Sequence, residues 1–151
     1  IKKIDNEINV IDNSYTDVLG HGTAIFNILN QNCQNAEFFI IKIFDFSFDC
    51  DSKLFFYALE YVHKNLECQF IIASSGAILF NNQLYLKDLI NALYLSGTLI
   101  ISAFNNQGAI SYPAAFDSVI GVDTNSSITS EQKHIVVRGS PIDVLMRERS
   151  Y

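Results

Sequence analysis

Stretches of apolar residues alternate with amphipathic stretches along this 151-residue chain. Uninterrupted apolar runs, typical of strands covered on both faces of a sheet, occur at 36–44, 70–73, 98–103 and 118–122. Residues 52–66 and 84–95 place apolar side chains at the spacing of helices that bury one face. Strands that alternate with helices form βαβ units, which join parallel strands by right-handed crossovers. We therefore predict an α/β fold in three layers, with a mostly parallel sheet and helices on both faces.

Composition predicts one globular domain over residues 1–151. Hydrophobic residues make up 49% of the chain and charged residues 17%, which suits a buried core rather than a disordered chain. The length is sufficient for a single domain with a sizeable core. The chain begins at Ile1 without a methionine, so we interpret it as a processed or excised piece.

The charge balance and the apolar runs exclude two kinds of partner. The net charge is −6 and no basic patch is present, so nucleic-acid binding has no electrostatic support. No apolar run reaches membrane-spanning length and no secretory signal is present, so we expect no membrane partner.

The thiols and the acidic residues favour neither a disulfide framework nor a metal site. The chain has three cysteines, Cys33, Cys50 and Cys68, an odd number without paired spacing. Unpaired thiols favour a reducing compartment, so we predict a cytoplasmic location. A loop with three aspartates at 45, 49 and 51 lacks the ligand pattern of a calcium loop, and we interpret it as a solvated turn. We expect no metal and no cofactor.

Small polar residues follow two of the predicted strands. Ser74, Ser75 and Gly76 follow the strand at 70–73, and Asn106 lies just after the strand at 98–103. Ligands of parallel sheets bind at the carboxyl ends of the strands. One interpretation is a pair of turns, because Ser, Asn and Gly suit turns. In the other, 74–76 pairs with an extended peptide and the Asn106 amide stabilises an oxyanion, a role worth ~3 kcal/mol.

A histidine stands where a helix is predicted to begin. Gly20-His21-Gly22-Thr23 directly precedes an apolar helical run at 24–29. A histidine at the mouth of a helix and between glycines is held in place and is accessible to a substrate. The alternative is an ordinary helix start with a surface histidine, because short motifs recur by chance. His63 and His134 lie in a predicted helix and just before a predicted strand at 135–138, and we interpret both as surface or edge residues.

These motifs occur in an order that resembles a known family. The segments that carry the resemblance are 17–23 around the histidine, the strand at 36–44, the Ser-Ser-Gly segment at 71–76, the asparagine segment at 100–108, the Tyr-Pro-Ala segment at 112–122 and Pro-Ile-Asp-Val at 141–144. In this order and at this spacing they are similar to segments of the subtilisin-like serine peptidases. The resemblance covers most of the chain and implies a subtilisin-like fold, although a fold does not by itself establish activity.

The resemblance also implies roles for particular residues. His21 corresponds to the family's general base, Asn106 to its oxyanion asparagine, and 74–76 to the strand that binds the substrate peptide. Asp12, after an apolar pair, is the candidate for the catalytic aspartate, but only nine positions separate it from His21. Asp17 matches a frequent acidic position before the histidine motif rather than the catalytic one. The family's Tyr-Pro bond is cis, so we predict a cis bond between Tyr112 and Pro113.

The departures from the family leave two classes of function open. The family's nucleophile lies in a Gly-Thr-Ser-Met-Ala element, and nothing like it follows Val144; Ser140 precedes the expected place. In the first class, the chain is part of a serine endopeptidase that acts on a peptide or protein, and a missing segment or second chain supplies the serine helix. In the second, it is a degenerate, noncatalytic module that binds a peptide or protein partner.

Two structural expectations concern the place of the missing serine helix and the charged segment at 146–149. Without the serine helix, the chain should expose an apolar groove near His21 and should self-associate or bind a partner there. Residues 146–149, which include three charged side chains, are expected to form an exposed tail.

Overall fold

The computed structural model describes residues 2–4, 7–9, 16–47, 51–74, 82–104, 110–128, 134–137 and 143–147. The chain divides into two compact units, residues 1–61 and residues 62–151. The single domain predicted from composition stays a prediction, and each unit has its own architecture.

The first unit contains a hairpin and the beginning of the helical part of the chain. Strands β1 (Lys2–Ile4) and β2 (Glu7–Asn9) pair antiparallel, a hairpin that the apolar pattern did not predict. Helix α1 (His21–Asn32) follows, and it begins where the histidine motif predicted a helix. Helix α2 (Ser52–Asn65) begins in the first unit and ends in the second; it agrees with the helix predicted at 52–66, and its apolar positions Leu54, Ala58, Leu59 and Val62 are buried.

The prediction of a strand at 36–44 is wrong. These residues form no strand, and Phe39 and Ile40 are exposed. A strand exists only where a second backbone pairs with it, and residues 37–41 make no backbone hydrogen bond with any described residue. One aromatic contact holds the run on α1: the rings of Phe26 and Phe38 meet edge to face, with their centroids 5.4 Å apart.

The second unit is built on a five-stranded sheet. Its strands are β3 (Phe70–Ala73), β4 (Leu99–Ala103), β5 (Val119–Asn125), β6 (His134–Val136) and β7 (Val144–Arg147). They lie in the order β3-β4-β5-β7-β6. The first four in this order are parallel neighbours, and β6 pairs antiparallel with β7 at the edge. The α/β class and the mostly parallel sheet are therefore confirmed.

The positions of two strands differ from the sequence-based expectation. Strand β3 was expected to be buried on both faces, but it is the last strand on its side among the described strands, and Phe70 and Ile72 are exposed. Met146 and Arg147 do not form the tail expected at 146–149, because both belong to β7, which lies between β5 and β6; Met146 is nonetheless exposed, as expected. The charged residues suggested a tail, whereas the backbone of β7 pairs with β5 on one side and with β6 on the other.

Helix α3 (Gln83–Leu95) contacts β4 and supplies three of the largest fully buried side chains among the described residues. Leu86, Ile90 and Leu93 are at most 1% exposed, as is Ile100 of β4. The helix ends in a Schellman motif, in which the Thr98 amide donates to the Leu93 carbonyl and the Gly97 amide to that of Tyr94. Gly97 has a φ of 94°, which a residue without a Cβ adopts at low cost. This tight turn leads directly into β4.

Asp143 joins three strands of the sheet. Its side-chain Oδ2 accepts a hydrogen bond from the Gly121 amide at 2.7 Å, and its own amide donates to the Gly121 carbonyl at 2.9 Å. Its carbonyl accepts from the Val137 amide at 2.9 Å. The residue therefore connects β5 to the start of β7 and to the residue after β6.

Among the helices of the described residues, none combines the length and the apolarity needed to cross a membrane.

Candidate functional site

His21 is the first residue of α1 and is exposed. The residue before it, Gly20, has a φ of 72° and a ψ of −10°, in the left-handed region. This conformation strains residues with a Cβ, so glycine suits the position that turns the chain into the helix. The Gly20 carbonyl accepts the first helical hydrogen bond, from the Ala24 amide at 2.9 Å. The backbone of His21 is thus fixed by the turn on one side and by the helix on the other.

Asp17 caps the helix that carries His21. Its Oδ2 accepts two hydrogen bonds from Thr23, one from the amide and one from the hydroxyl, both at 2.8 Å. Its Oδ1 accepts a third from the Gly20 amide at 3.0 Å. The first amides of a helix have no partner within the helix, and a carboxylate is favoured at this positive end. Asp17 therefore supplies the cap that Gly20, which lacks a side chain, does not.

The capping role of Asp17 was not predicted from the sequence. The motif assigned Asp17 only to a frequent acidic position before the histidine. The sequence did contain a signal for a helix start, because Asp17, Gly20 and Thr23 stand just before or at the beginning of an apolar helical run. Asp17 lies four residues before the helix begins, however, outside the usual N-cap position, so only the turn at 18–20 brings its carboxylate back to Thr23.

The hydrogen bonds of Asp17 lower the pKa of its carboxyl group. The largest cause is the bond from the Thr23 amide, followed by the bond from the Thr23 hydroxyl; Gly20 adds to the effect, and desolvation opposes it in part. A pKa that is lower in the folded than in the unfolded state means that the ionised group stabilises the fold above its unfolded pKa. That contribution is lost as the pH falls through the lower, folded pKa.

Acid is therefore expected to weaken the first turn of α1, with the change beginning below about pH 4. Protonation removes the charge that the Thr23 amide donates to, so the amide-proton resonance of Thr23 should shift as Asp17 titrates. The Cys33 amide, which donates to the Leu29 carbonyl at the other end of α1, serves as an internal control. In Asp17→Asn the Thr23 resonance should not titrate. A Thr23 resonance that stays constant in the wild-type protein under acid would contradict the capping role.

The second unit contains the predicted substrate strand and oxyanion segment. Ser74 directly follows β3 and is exposed, next to the buried Ala73. The adjacent strand β4 ends at Ala103, and the amide of Phe104 then donates to the Val122 carbonyl at 2.8 Å. Strands β3 and β4 are parallel neighbours, and Phe70 pairs with Leu99 at their start. Ser74 and Phe104 therefore follow the carboxyl ends of adjacent strands, at the same end of the sheet. The remaining predicted site residues, Asp12, Ser75, Gly76 and Asn106, lie outside the described residues.

The bond between Tyr112 and Pro113 is cis, which confirms the prediction. Pro113 and its neighbours Ser111 and Ala114 are buried, and the rings of Tyr112 and Phe116 lie 4.8 Å apart. Backbone hydrogen bonds from Ala115 to Ser111 and from Phe116 to Pro113 close the loop before β5.

The other histidines, aspartates and cysteines considered from the sequence show no sign of a functional site within the described residues. His63 is exposed on α2, and His134 begins β6. Asp45 pairs with Lys42 at 3.2 Å, and Asp51 accepts a hydrogen bond from the Lys53 amide where α2 begins; Asp49 and Cys50 lie outside the described residues. Cys33 and Cys68 are free thiols. Within the described ranges, no three His, Cys, Asp or Glu side chains form a group that could hold a metal ion.

Apolar side chains are exposed in the first unit, which bears on the groove expected near His21. Val18, three residues before His21, is 58% exposed, and Ile28 of α1 is 50% exposed. No residue of α1 is buried. The association expected at this surface stays a prediction.

No protein-family model matches the chain, and the search of curated proteins finds no match either.

Proposed function

We propose that this chain is part of a subtilisin-like serine endopeptidase, with the three-layer sheet of that family. His21 acts as the general base, Asn106 donates to the oxyanion, and Ser74, Ser75 and Gly76 pair with the substrate backbone. Asp12 is the candidate partner of His21. The nucleophilic serine comes from a further segment of the polypeptide or from a second chain.

The observation that carries the proposal is the way His21 is held. A general base must keep its imidazole within hydrogen-bond reach of the group it deprotonates, so its backbone has to be fixed. The left-handed turn at Gly20 and the three hydrogen bonds accepted by Asp17 fix the first turn of α1, while His21 itself stays exposed.

The edge of the sheet supports the same assignment. Parallel α/β sheets bind ligands at the carboxyl ends of their strands. Ser74 follows β3 at this end, and the segment that contains Asn106 begins after the neighbouring strand β4. The substrate strand and the oxyanion donor of the proposed enzyme are therefore connected to adjacent strands.

In the proposed reaction this chain would carry out the proton transfer and would stabilise the negative charge that develops on the substrate. His21 would accept the proton of the serine hydroxyl as that oxygen attacks the peptide carbonyl, and would then return it to the leaving amine. The side-chain amide of Asn106 would donate to the oxygen that becomes negative, which is worth ~3 kcal/mol in acyl-transfer enzymes. Without a serine, the acyl intermediate has no atom on which to form.

The proposal is tested with a serine-directed phosphonate probe on the isolated chain and on the native polypeptide purified from its source. We expect no stoichiometric labelling of the 151-residue chain. We expect the native polypeptide to be heavier or to be complexed with a second chain, and to react with the probe. Mass spectrometry of the labelled protein identifies the modified serine.

A pair of histidine variants provides the control. His21→Gln should abolish labelling of the native polypeptide, because an unactivated serine reacts poorly with the probe. His63→Gln, which changes an exposed histidine of α2, should leave labelling unchanged. Labelling of the isolated chain, or a native polypeptide that stays unlabelled, would overturn the proposal, and the second outcome would favour the noncatalytic peptide-binding module.

A further inference from the structure

Lys42 connects the run at 36–44 to the segment that precedes α1. Its Nζ donates a hydrogen bond to the Thr16 carbonyl at 2.8 Å and pairs with the Asp45 carboxylate at 3.2 Å. The side chain of Lys42 is 26% exposed, so its ammonium group is only partly solvated. Hydrogen bonds from a charged donor are stronger than those between neutral groups. Lys42 therefore holds the backbone at a residue that lies far before it in the sequence.

Thr16 directly precedes Asp17, whose carboxylate caps α1. Asp17 lies four residues before the helix begins, so its carboxylate reaches Gly20 and Thr23 only while the turn before the helix keeps its shape. The Gly20 amide closes that turn on the Asp17 carbonyl at 3.3 Å. The hydrogen bond from Lys42 holds the backbone at the residue where the chain enters this turn. Lys42 therefore restrains the position from which Asp17 caps the helix.

The run that carries Lys42 is itself held on α1. The rings of Phe26 in α1 and Phe38 in the run meet edge to face, with their centroids 5.4 Å apart. The contacts between the run, the turn and the helix form a closed ring, which passes in order through Phe26, Phe38, Lys42, Thr16, Asp17 and Thr23. Because the ring is closed, a shift of the first turn of α1 has to strain or break one of these contacts.

We infer that Lys42 is a positioning residue for His21. Through the Thr16 carbonyl and the Asp17 cap, it holds the first turn of α1 in the orientation from which the His21 imidazole reaches the serine hydroxyl. A general base has to lie about 2.6–3.2 Å from the group it deprotonates, and a misplacement of about 1 Å can cost about a hundredfold in rate. This role rests on the proposed peptidase function, and it adds to that function a residue from the run at 36–44.

The kinetics of phosphonate labelling of the native polypeptide test this role. The limiting rate at high probe concentration reports the activated serine, and the half-saturating concentration reports binding of the probe. Lys42→Met removes the ammonium group and keeps an unbranched side chain, so the limiting rate should fall about tenfold while the half-saturating concentration stays unchanged. Lys42→Arg keeps a charged N–H donor and should recover most of the rate. Lys87→Met, the same change at an exposed lysine of α3, is the matched control and should alter neither value.

A second pair of variants separates positioning from a direct effect of the lysine charge. Phe38→Ala removes the contact with Phe26 that anchors the run and leaves every charge in place, so it should also lower the limiting rate, by about threefold or more. Phe46→Ala makes the same change at a ring that is 80% exposed and should leave the rate unchanged. Circular dichroism of each variant establishes that the helices are retained. If either Lys42→Met or Phe38→Ala fails to fold, the other variant decides.

Amide resonances of the 151-residue chain test the path through the cap without any activity. Lys42→Met should shift the amide resonances of Gly20 and Thr23, because these two amides donate to the capping carboxylate. The Cys33 amide, at the other end of α1, should keep its resonance position. Lys87→Met should leave all three resonances unchanged.

Failure of the proposed function and failure of the positioning role give different results. A wild-type native polypeptide that is not labelled would overturn the proposed function and with it the role of Lys42 in proton transfer, whereas the amide resonances would still decide whether Lys42 holds the turn. With a labelled wild type, an unchanged limiting rate in Lys42→Met would overturn the positioning role alone. A raised half-saturating concentration at an unchanged limiting rate would assign Lys42 to binding instead. Unchanged resonances of Gly20 and Thr23 in Lys42→Met would contradict the path through Asp17.

Discussion

Replacement of Leu93 by alanine is expected to lower the free energy of unfolding by about 3 kcal/mol. Leu93 is 1% exposed on the face of α3 that also buries Leu86 and Ile90. The substitution removes apolar contacts and leaves a cavity that the neighbouring side chains fill only in part. Urea unfolding followed by circular dichroism at neutral pH provides the measurement.

Leu95→Ala is the matched control, because it makes the same change two residues further along the same helix. Leu95 is 84% exposed, so its truncation should change the free energy of unfolding by no more than about 0.5 kcal/mol. Equal losses from the two variants would contradict the orientation of α3, since they would mean that Leu93 is no better packed than Leu95.

Replacement of Asp143 by alanine is expected to lower the free energy of unfolding by about 2 kcal/mol. The carboxylate of Asp143 accepts a hydrogen bond from the Gly121 amide, and Gly121 is buried in the middle of the sheet. Without an acceptor, that amide stays desolvated and unpaired, which costs more than the net worth of an ordinary hydrogen bond. Urea unfolding gives the size of the effect, and faster exchange of the Gly121 amide shows its location.

Two further variants separate the hydrogen bond from other effects at this position. Asp143→Asn keeps an oxygen that accepts from Gly121, so it should retain most of the stability. Asp123→Ala removes a carboxylate of β5 that, within the described ranges, accepts from the amide of the exposed residue Thr124 alone, and it should change stability by no more than about 0.5 kcal/mol. A loss in Asp143→Ala no greater than that in Asp123→Ala would rule out a structural role for the bond to Gly121.

The elements that the sequence predicted correctly share one property. Residues 52–66, 70–73, 84–95, 98–103 and 118–122 lie within one or a few residues of α2, β3, α3, β4 and β5. Each has an apolar period that specifies its type of element, because a helix buries every third or fourth residue and an interior strand buries a continuous run. Local periodicity was sufficient for these elements.

The errors fall on segments whose state depends on a distant backbone. Residues 36–44 have the composition of an interior strand, yet no described strand pairs with them. Residues 146–149 include charged side chains and suggested an exposed tail, yet Met146 and Arg147 belong to β7, which pairs on both sides. Hydrogen bonds between strands involve main-chain atoms that every residue has, so the side-chain pattern does not specify the partner.

In the candidate site, too, local features were predicted from the sequence and contacts that depend on a turn of the chain were not. The sequence identified His21 at the start of a helix and placed small polar residues after β3 and β4, because motifs and strand ends are local features. The capping of α1 by Asp17 depends on a turn that brings a carboxylate back to Thr23, and the local pattern gave it no role.

The sequence by itself determined the α/β class, the bounds of most helices and strands, and the position of His21 at the first turn of α1. These depend on apolar period and on short-range backbone preferences, which neighbouring residues specify. Only the tertiary structure decided the order of the described strands, β3-β4-β5-β7-β6, with β3 at one end, and the contacts of Asp143 with Gly121 and Val137. These features depend on which backbone segments pair in the folded chain, and that pairing is specified by residues that are far apart in the sequence.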